Sequence, residues 1–420
     1  MADTKPHEVV ILGGNFGGVG AAHYLLKYTI PSLHRLDKTK GFHITLVAPN
    51  SDVYFKVASP RALIQPKLLE ESKLWRPLSE AFKQYPAGQI DCVQAIATSL
   101  DAAKRSVSIK ASGAHETEGE RIIPYDTLII ATGTTSASPI WTLQSKQSLT
   151  SESFRSVQDV LPKAKTVIVA GGGAVGVETA GEIASAYPSA EITLFSGGKT
   201  LLQRVKPEVG ARAQEYLQTK LNVKVVHGVK VLSATPSNES PGTTVSLSDG
   251  KSLTVDLYID ATGGVPNSQF LPAEWLDSTK RIITRDAYFR VKGNDAKNAD
   301  GVYVLGDIVA GSNNTIFELD AMVPTVCSSV GVDIAAQLKP GESMPKPGFL
   351  RSLTGGSSSI PTQKEFKPMK DSILVPIGPG GGVGLLMGWQ APSWLVKMAK
   401  SKSFLIELFD PMISGNKWKA

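Results

Sequence analysis

Two stretches of this chain share one plan, and that plan restricts the fold more than any other feature. "VVILGGNFGGVGAAHYLL" begins at Val9 and "KTVIVAGGGAVGVETAGEIA" at Lys165, and each reads as a buried apolar strand, a glycine-rich turn and a helix. A strand feeding a helix through so tight a turn belongs to a βαβ unit, so the fold class is α/β with two Rossmann-like units. The second turn is complete, with Gly171, Gly172, Gly173 and Gly176. The first carries Gly13, Gly14, Gly17 and Gly18 but has Asn15 where the middle glycine of Gly-x-Gly-x-x-Gly belongs. Glycine there leaves room for a pyrophosphate, which the helix N-terminus attracts with free N–H groups and a positive dipole end. Asparagine tolerates unusual backbone angles and brings an amide of its own. Packing alone explains one such turn more easily than two.

A chain of 420 residues is long enough for two or three cores. Its 42% hydrophobic and 20% charged residues are those of a soluble globular protein, without a run of about 18 uninterrupted apolar residues that would read as a membrane span. Cys92 and Cys327 stand far apart with no Cys-x-x-Cys pair, which excludes a disulfide framework, a dithiol relay and a haem-attachment motif, and points to a reducing compartment. "MADTKPHEVV" carries neither a signal core nor a transit-type helix, and Ala2 in place of glycine removes the myristoylation signal. The net charge of +6 is modest, and no basic stripe interleaved with aromatics suggests nucleic acid. No metal-binding pattern is present, so no metal is expected.

Three further stretches sit where two bound dinucleotides would need them. "IPYDTLIIATGTTSASP" ends a strand at Thr132-Gly133, "VDLYIDATGGVPNS" repeats that form at Thr262-Gly263 before Pro266-Asn267, and "DGVYVLGDI" ends a strand at Gly306-Asp307. Thr-Gly strand ends turn the chain close to a cofactor, and an Asp at such an end accepts hydrogen bonds from a ribityl chain. Singly each is an ordinary turn. After about residue 340 the chain becomes Gly/Pro/Ser-rich, then "APSWLVKMAKSKSFLIELFDPMI" reads as an amphipathic helix, either docked with a wet lysine face or touching a membrane.

In this order the motifs resemble the two-dinucleotide-binding flavoprotein reductases. More narrowly, "YFKVASPRALI", "GGGAVGVETAGEI" and "WLVKMAKSKSFLIELF" resemble the apoptosis-inducing-factor-like branch that includes ferroptosis suppressor protein, with type II NADH dehydrogenases as relatives. The resemblance implies an FAD domain at 1–142 and 271–340, interrupted by an NAD(P)H domain at 143–270, with a smaller α+β region at 341–420. FAD would lie along Gly13, Gly14, Asn15, Gly17 and Gly18, meet Thr132-Gly133 and reach Asp307; the nicotinamide nucleotide would lie on Gly171, Gly173 and Gly176. Both sites depart from the usual acidic ribose contact. "HITLVAPN" ends at Ala48-Pro49, so that either Asn50 or Arg61 holds the adenosine ribose or the flavin is held less tightly, and "EITLFSGGKTLLQR" has Ser196 at the NAD-selecting position. With no acid to repel a 2′-phosphate, Lys199 and Arg204 favour NADPH beside NADH, unless both are charges on a solvated turn.

Flavin and nicotinamide carry the hydride chemistry, so few catalytic side chains are expected. The resemblance marks Glu178, in the first turn of the second loop's helix, as the residue beside the nicotinamide, with Glu182 a weaker candidate on the same face. It marks Lys400 as an ammonium near the flavin, able to stabilise reduced flavin or a quinone oxyanion. The implied activity is that of an FAD-dependent oxidoreductase passing electrons from NAD(P)H to a quinone-like acceptor. Alternatives are action on a biosynthetic intermediate, or slow-turnover redox sensing in cell-death signalling. The implied location is cytoplasmic, with peripheral contact to a mitochondrial or other intracellular membrane.

Overall fold

The computed structural model describes residues 5–113, 119–144, 146–237, 242–293, 299–340, 361–368 and 371–418. The near-continuous apolar run of His7–Leu12 forms the third strand of a seven-stranded sheet, the middle one of its five parallel strands, and is buried on both faces. The sheet runs Val302–Val304, Thr127–Ile130, His7–Leu12, Phe42–Ala48, Ile90–Asp101, Ser106–Ala111 and Glu120–Pro124. Its first five strands are parallel and its last two antiparallel. Ile90–Asp101 serves twice, pairing parallel with Phe42–Ala48 through its first half and antiparallel with Ser106–Ala111 through its second.

A second sheet is wholly parallel, in the order Lys224–His227, Glu191–Ser196, Thr166–Ala170, Leu257–Asp260. The two sheets obey one rule. From His7–Leu12 the chain moves to Phe42–Ala48 on one side and later fills the other with Thr127–Ile130; Thr166–Ala170 stands between Glu191–Ser196 and Leu257–Asp260 in the same way. Each glycine loop therefore opens at a point where strand order reverses, which is where an open α/β sheet leaves a crevice for a ligand. A two-stranded ribbon, Thr134–Thr135 against Val265–Pro266, joins the two units.

The Ile316–Leu338 helix is long and apolar enough to span a bilayer, but 67% of its apolar window is buried within the protein, as in a core helix. It packs on the first loop's helix, Phe16–Tyr24, with Val323 against Gly20 and Cys327 Sγ facing the Ala21 carbonyl. Beyond the undescribed 341–360, where part of the Gly/Pro/Ser-rich reading falls, Ile373–Pro376, Gly382–Leu386 and Trp389–Gln390 form a small antiparallel sheet.

The C-terminal amphipathic helix read from Trp394 to Phe409 needs correction, because it is two pieces. Helical turns cover Ser393–Ser401 and again Ile406–Ile413, separated by Phe404 and Leu405 at φ 53° and 62°. Burial rewards the break: Val396, Phe404 and Phe409 are fully enclosed, while Trp394 and Met398 face outward.

Candidate functional site

The two glycine loops match position by position in their steric demands. Gly13 and Gly171 have φ of 117° and 125°, and a Cβ would stand 2.3 and 2.2 Å from the carbonyl oxygens of Ala131 and Ala261. Only glycine lets these loops pass the neighbouring strand ends. Gly18 and Gly176 close each turn, where a Cβ would lie 1.7 and 1.8 Å from the carbonyl oxygens of Gly13 and Gly171. Gly17 lies close under Leu305 and Gly14 close under Ala48.

The middle position differs from both ends. Gly173 is extended, φ −79° and ψ −176°, and a Cβ there would meet no atom within 4 Å. Asn15 holds the equivalent extended backbone, φ −106° and ψ −160°. Glycine at this position supplies space rather than a special conformation, so Asn15 costs the backbone nothing. Its Nδ2 donates to the Tyr54 carbonyl at 3.2 Å, while its Oδ1 is buried without a partner among the described atoms. Neither helix has a side-chain cap or an acid in its first turn, so the leading N–H groups are left for an anion. The loops fit a pyrophosphate each.

Thr132 and Gly133 are braced to the second unit. Thr132 Oγ1 donates to the Asn267 carbonyl at 2.9 Å, Asn267 Nδ2 donates back to the Thr132 carbonyl at 2.8 Å, and Asn267 N–H donates to Gly133 O at 3.0 Å. Asp307 accepts from Lys56 Nζ at 3.0 Å. Neither the Lys56–Asp307 pair nor the Asn267 brace has a local signal in the sequence, because each joins residues far apart in the chain. Ser196 is buried beneath its loop, its Oγ within reach of the Thr200 carbonyl at 3.3 Å. Lys199 and Arg204 are exposed on the turn that follows.

Arg61 is a correction. Its guanidinium is 2% exposed and grips both carboxylate oxygens of Glu182, with Nη2 also donating to Ser401 O at 2.9 Å. Burial among these acceptors commits it to holding the fold together instead of a ribose. Asn50, the other candidate, is buried in the bend just past the Phe42–Ala48 strand.

Glu178 and Lys400 meet. Lys400 Nζ donates to Glu178 Oε1 at 2.7 Å and to the Leu374 carbonyl at 3.1 Å, joining residues 222 apart in sequence. The helix starts at Ala174, so Glu178 stands just past its first turn rather than in it. Burial raises the Glu178 carboxyl above its ordinary pKa, the Lys400 charge opposes the rise, and the neighbouring Glu182 adds to it. The pair lies where the helix of the second unit meets the C-terminal segment. Cys92 is exposed, Cys327 is buried and both are free; no group of three metal-ligating side chains occurs among the described residues.

Residues 7–324 match the family model described as pyridine nucleotide-disulphide oxidoreductase. The chain is 36% identical over 413 residues to oxidoreductase ptaL of Pestalotiopsis fici, covering 97% of this chain and 99% of that one. It is 24% identical over 412 residues to ferroptosis suppressor protein 1 of Mus musculus, covering 96% and 95%. Among solved structures it resembles NDH2 of Plasmodium falciparum in complex with NADH, at TM-score 0.60 and 16% identity, covering 99% of this chain and all of that one.

Proposed function

Because the chain belongs to the pyridine nucleotide-disulphide oxidoreductase family, as a two-dinucleotide-domain flavoprotein reductase of the apoptosis-inducing-factor-like branch, we propose that it moves electrons from NAD(P)H through FAD to a quinone-like acceptor. FAD and NAD(P)H are its cofactors, and the observation that carries the reading is the pair of sterically matched loops at two strand-order reversals. When bound, flavin would supply the hydride and electron-transfer chemistry between the nicotinamide and the acceptor.

The chain's own residues do the placing. Gly13, Gly14, Asn15, Gly17 and Gly18 hold the flavin nucleotide with Thr132, Gly133 and Asp307, while Gly171, Gly173, Gly176 and Ser196 hold the nicotinamide nucleotide. Lys199, exposed on the turn after Ser196, would attract a 2′-phosphate, so that NADPH would be accepted beside NADH. Domains run 1–142 with 271–340 for flavin, 143–270 for nicotinamide, and 341–420 for the acceptor side. The Asn267 brace keeps the two halves in register, which fixes the approach of the reacting rings. Glu178 orients the nicotinamide. Lys400 spends two of its three N–H donors on Glu178 and Leu374, leaving one to offer an oxyanion formed on the acceptor. The dithiol chemistry in the family's name has no place here, since Cys92 and Cys327 form no pair.

Exposed Met387, Trp389, Trp394 and Met398 crowd the hairpin tip and the helical turn after it, with Lys397 and Lys402 exposed among them. Aromatic and thioether side chains beside lysines suit peripheral contact with an anionic membrane, the source of an apolar acceptor. A screen of oxidants with NADH and NADPH in parallel, on protein whose flavin spectrum has been recorded, tests the proposal. Rapid turnover with a short-chain ubiquinone supports it. Turnover confined to a polar biosynthetic intermediate, or slow reduction leaving a long-lived charge-transfer band, refutes the quinone acceptor.

A further inference from the structure

The Ala174–Ala186 helix carries two carboxylates, Glu178 and Glu182, one turn apart and both buried. Like charges at that spacing repel, and without water each needs its own cation. The cations come from different parts of the chain: Lys400 from the C-terminal segment and Arg61 from the Ser59–Ile64 helix of the first unit. They are not independent. The Arg61 Nη2 that donates to Glu182 Oε1 at 2.9 Å also donates to the carbonyl of Ser401, at 2.9 Å. Gln65 adds a bond to Glu182 Oε2 at 2.8 Å. Phe404 lies against both cations, its ring centroid 4.9 Å from Arg61 Cζ and 5.9 Å from Lys400 Nζ. One guanidinium thus holds the residue a turn beyond Glu178 and the residue next to Lys400.

We propose that Arg61 is a positioning residue that keeps the Glu178–Lys400 pair closed. The proposal rests on the reading of that pair as the working residues of the oxidoreductase. The helical turns of Ser393–Ser401 are too short to stand alone, so tertiary contacts must place them. Lysine is flexible and strongly hydrated, and leaves a buried carboxylate for water once its backbone is loose. The forked, two-sided grip of Arg61 removes that freedom. It also couples the pair to the first unit, so that the pair forms only while the two units and the C-terminal segment are docked together.

The test replaces the structural ion pair with apolar residues of similar size, Arg61→Met/Glu182→Leu, an exchange that buried pairs tolerate. Flavin content should match the parent. Amide hydrogen exchange across 397–404 should quicken about tenfold, and flavin reduction by NAD(P)H should slow about tenfold without a change in nucleotide KM. Adding Lys400→Ala should bring no further loss, because the pair is already open. Unchanged exchange at 397–404, or losses that multiply in the triple variant, overturns the proposal. Should the double variant not fold, Arg61→Lys keeps the charge without the fork and must show the same exchange change. If Lys400→Ala alone reduces and turns over like the parent, the functional reading of Lys400 fails, while exchange still judges the positioning.

Discussion

Acid should release the C-terminal segment from the first loop's helix, through one histidine. His23 lies on Phe16–Tyr24 with no exposed surface; its Nε2 faces the Ile413 carbonyl at 2.7 Å and its Nδ1 the Tyr85 hydroxyl at 2.8 Å. A carbonyl only accepts, so Nε2 carries the proton and Nδ1 accepts from Tyr85. Burial pushes the His23 pKa down to about 4, the Ile413 bond opposing and the nearby Lys27 charge assisting. Unfolded, the same ring titrates near 6.5. Between those values the open state binds more protons than the closed one, so docking is fully stable above the unfolded pKa and weakens as pH falls toward 4. A difference of about 2.5 at about 1.4 kcal/mol per pH unit comes to between about 3 and 4 kcal/mol in full, of which about 3 kcal/mol is lost by pH 4, where the closed state is itself half protonated. Hydrogen exchange of Phe409–Ile413, corrected for intrinsic rates and taken between pH 7.5 and 4, reads the opening free energy directly. The parent should lose about 3 kcal/mol more than His23→Gln, which cannot titrate. Parallel decline in the two proteins would remove His23 as the cause.

Four other outcomes are expected. Gly173→Asp should block reduction by NAD(P)H yet leave FAD bound, since it puts a carboxylate into the open position of the second loop; loss of flavin would mean that the loops hold the opposite cofactors. Gly18→Ala should cost about 3 kcal/mol or more in thermal unfolding and shed flavin, whereas Asn15→Gly should keep it; equal flavin retention in Gly18→Ala and parent would contradict the steric account. Lys400→Ala should lower turnover at saturating quinone about tenfold or more with flavin loading unchanged, and parental turnover would take Lys400 out of the site. Lys199→Glu should raise KM for NADPH about tenfold relative to NADH, and an unaltered ratio would leave Lys199 as a solvated surface charge.

Local patterns carried much of this protein and missed what depends on distance. The strand-turn-helix units were legible because periodicity and glycine spacing are local, and so was the α/β class. Asn15 looked like a defect only because sequence does not display backbone angles; with φ at −106° the position never required glycine. The sequence offers Arg61 beside Asn50 as a ribose contact because the true partner of Arg61, Glu182, lies 121 residues away and nothing in either neighbourhood announces the other. Resemblance marks Glu178 and Lys400 separately, but their contact spans 222 residues and arises only when the second unit's helix and the C-terminal segment dock. The break at Phe404 and Leu405 carried no glycine or proline to mark it.

The ribbon of Thr134–Thr135 and Val265–Pro266 also bears on how the chain assembles. Thr127–Ile130 must pair with Val302–Val304, and the whole Thr166–Asp260 sheet lies between them in sequence. Closing so long a connection as loose chain would cost conformational entropy that grows with its length, about 0.6 kcal/mol for each doubling. Once the intervening unit has folded and its two ends have zipped together, it counts as a short link. The larger sheet can then complete its edge as though the insertion were a tight turn. Emergence from the ribosome runs in the same direction: the Thr166–Asp260 sheet is synthesised before Val302–Val304, and domains generally fold in the order in which they emerge.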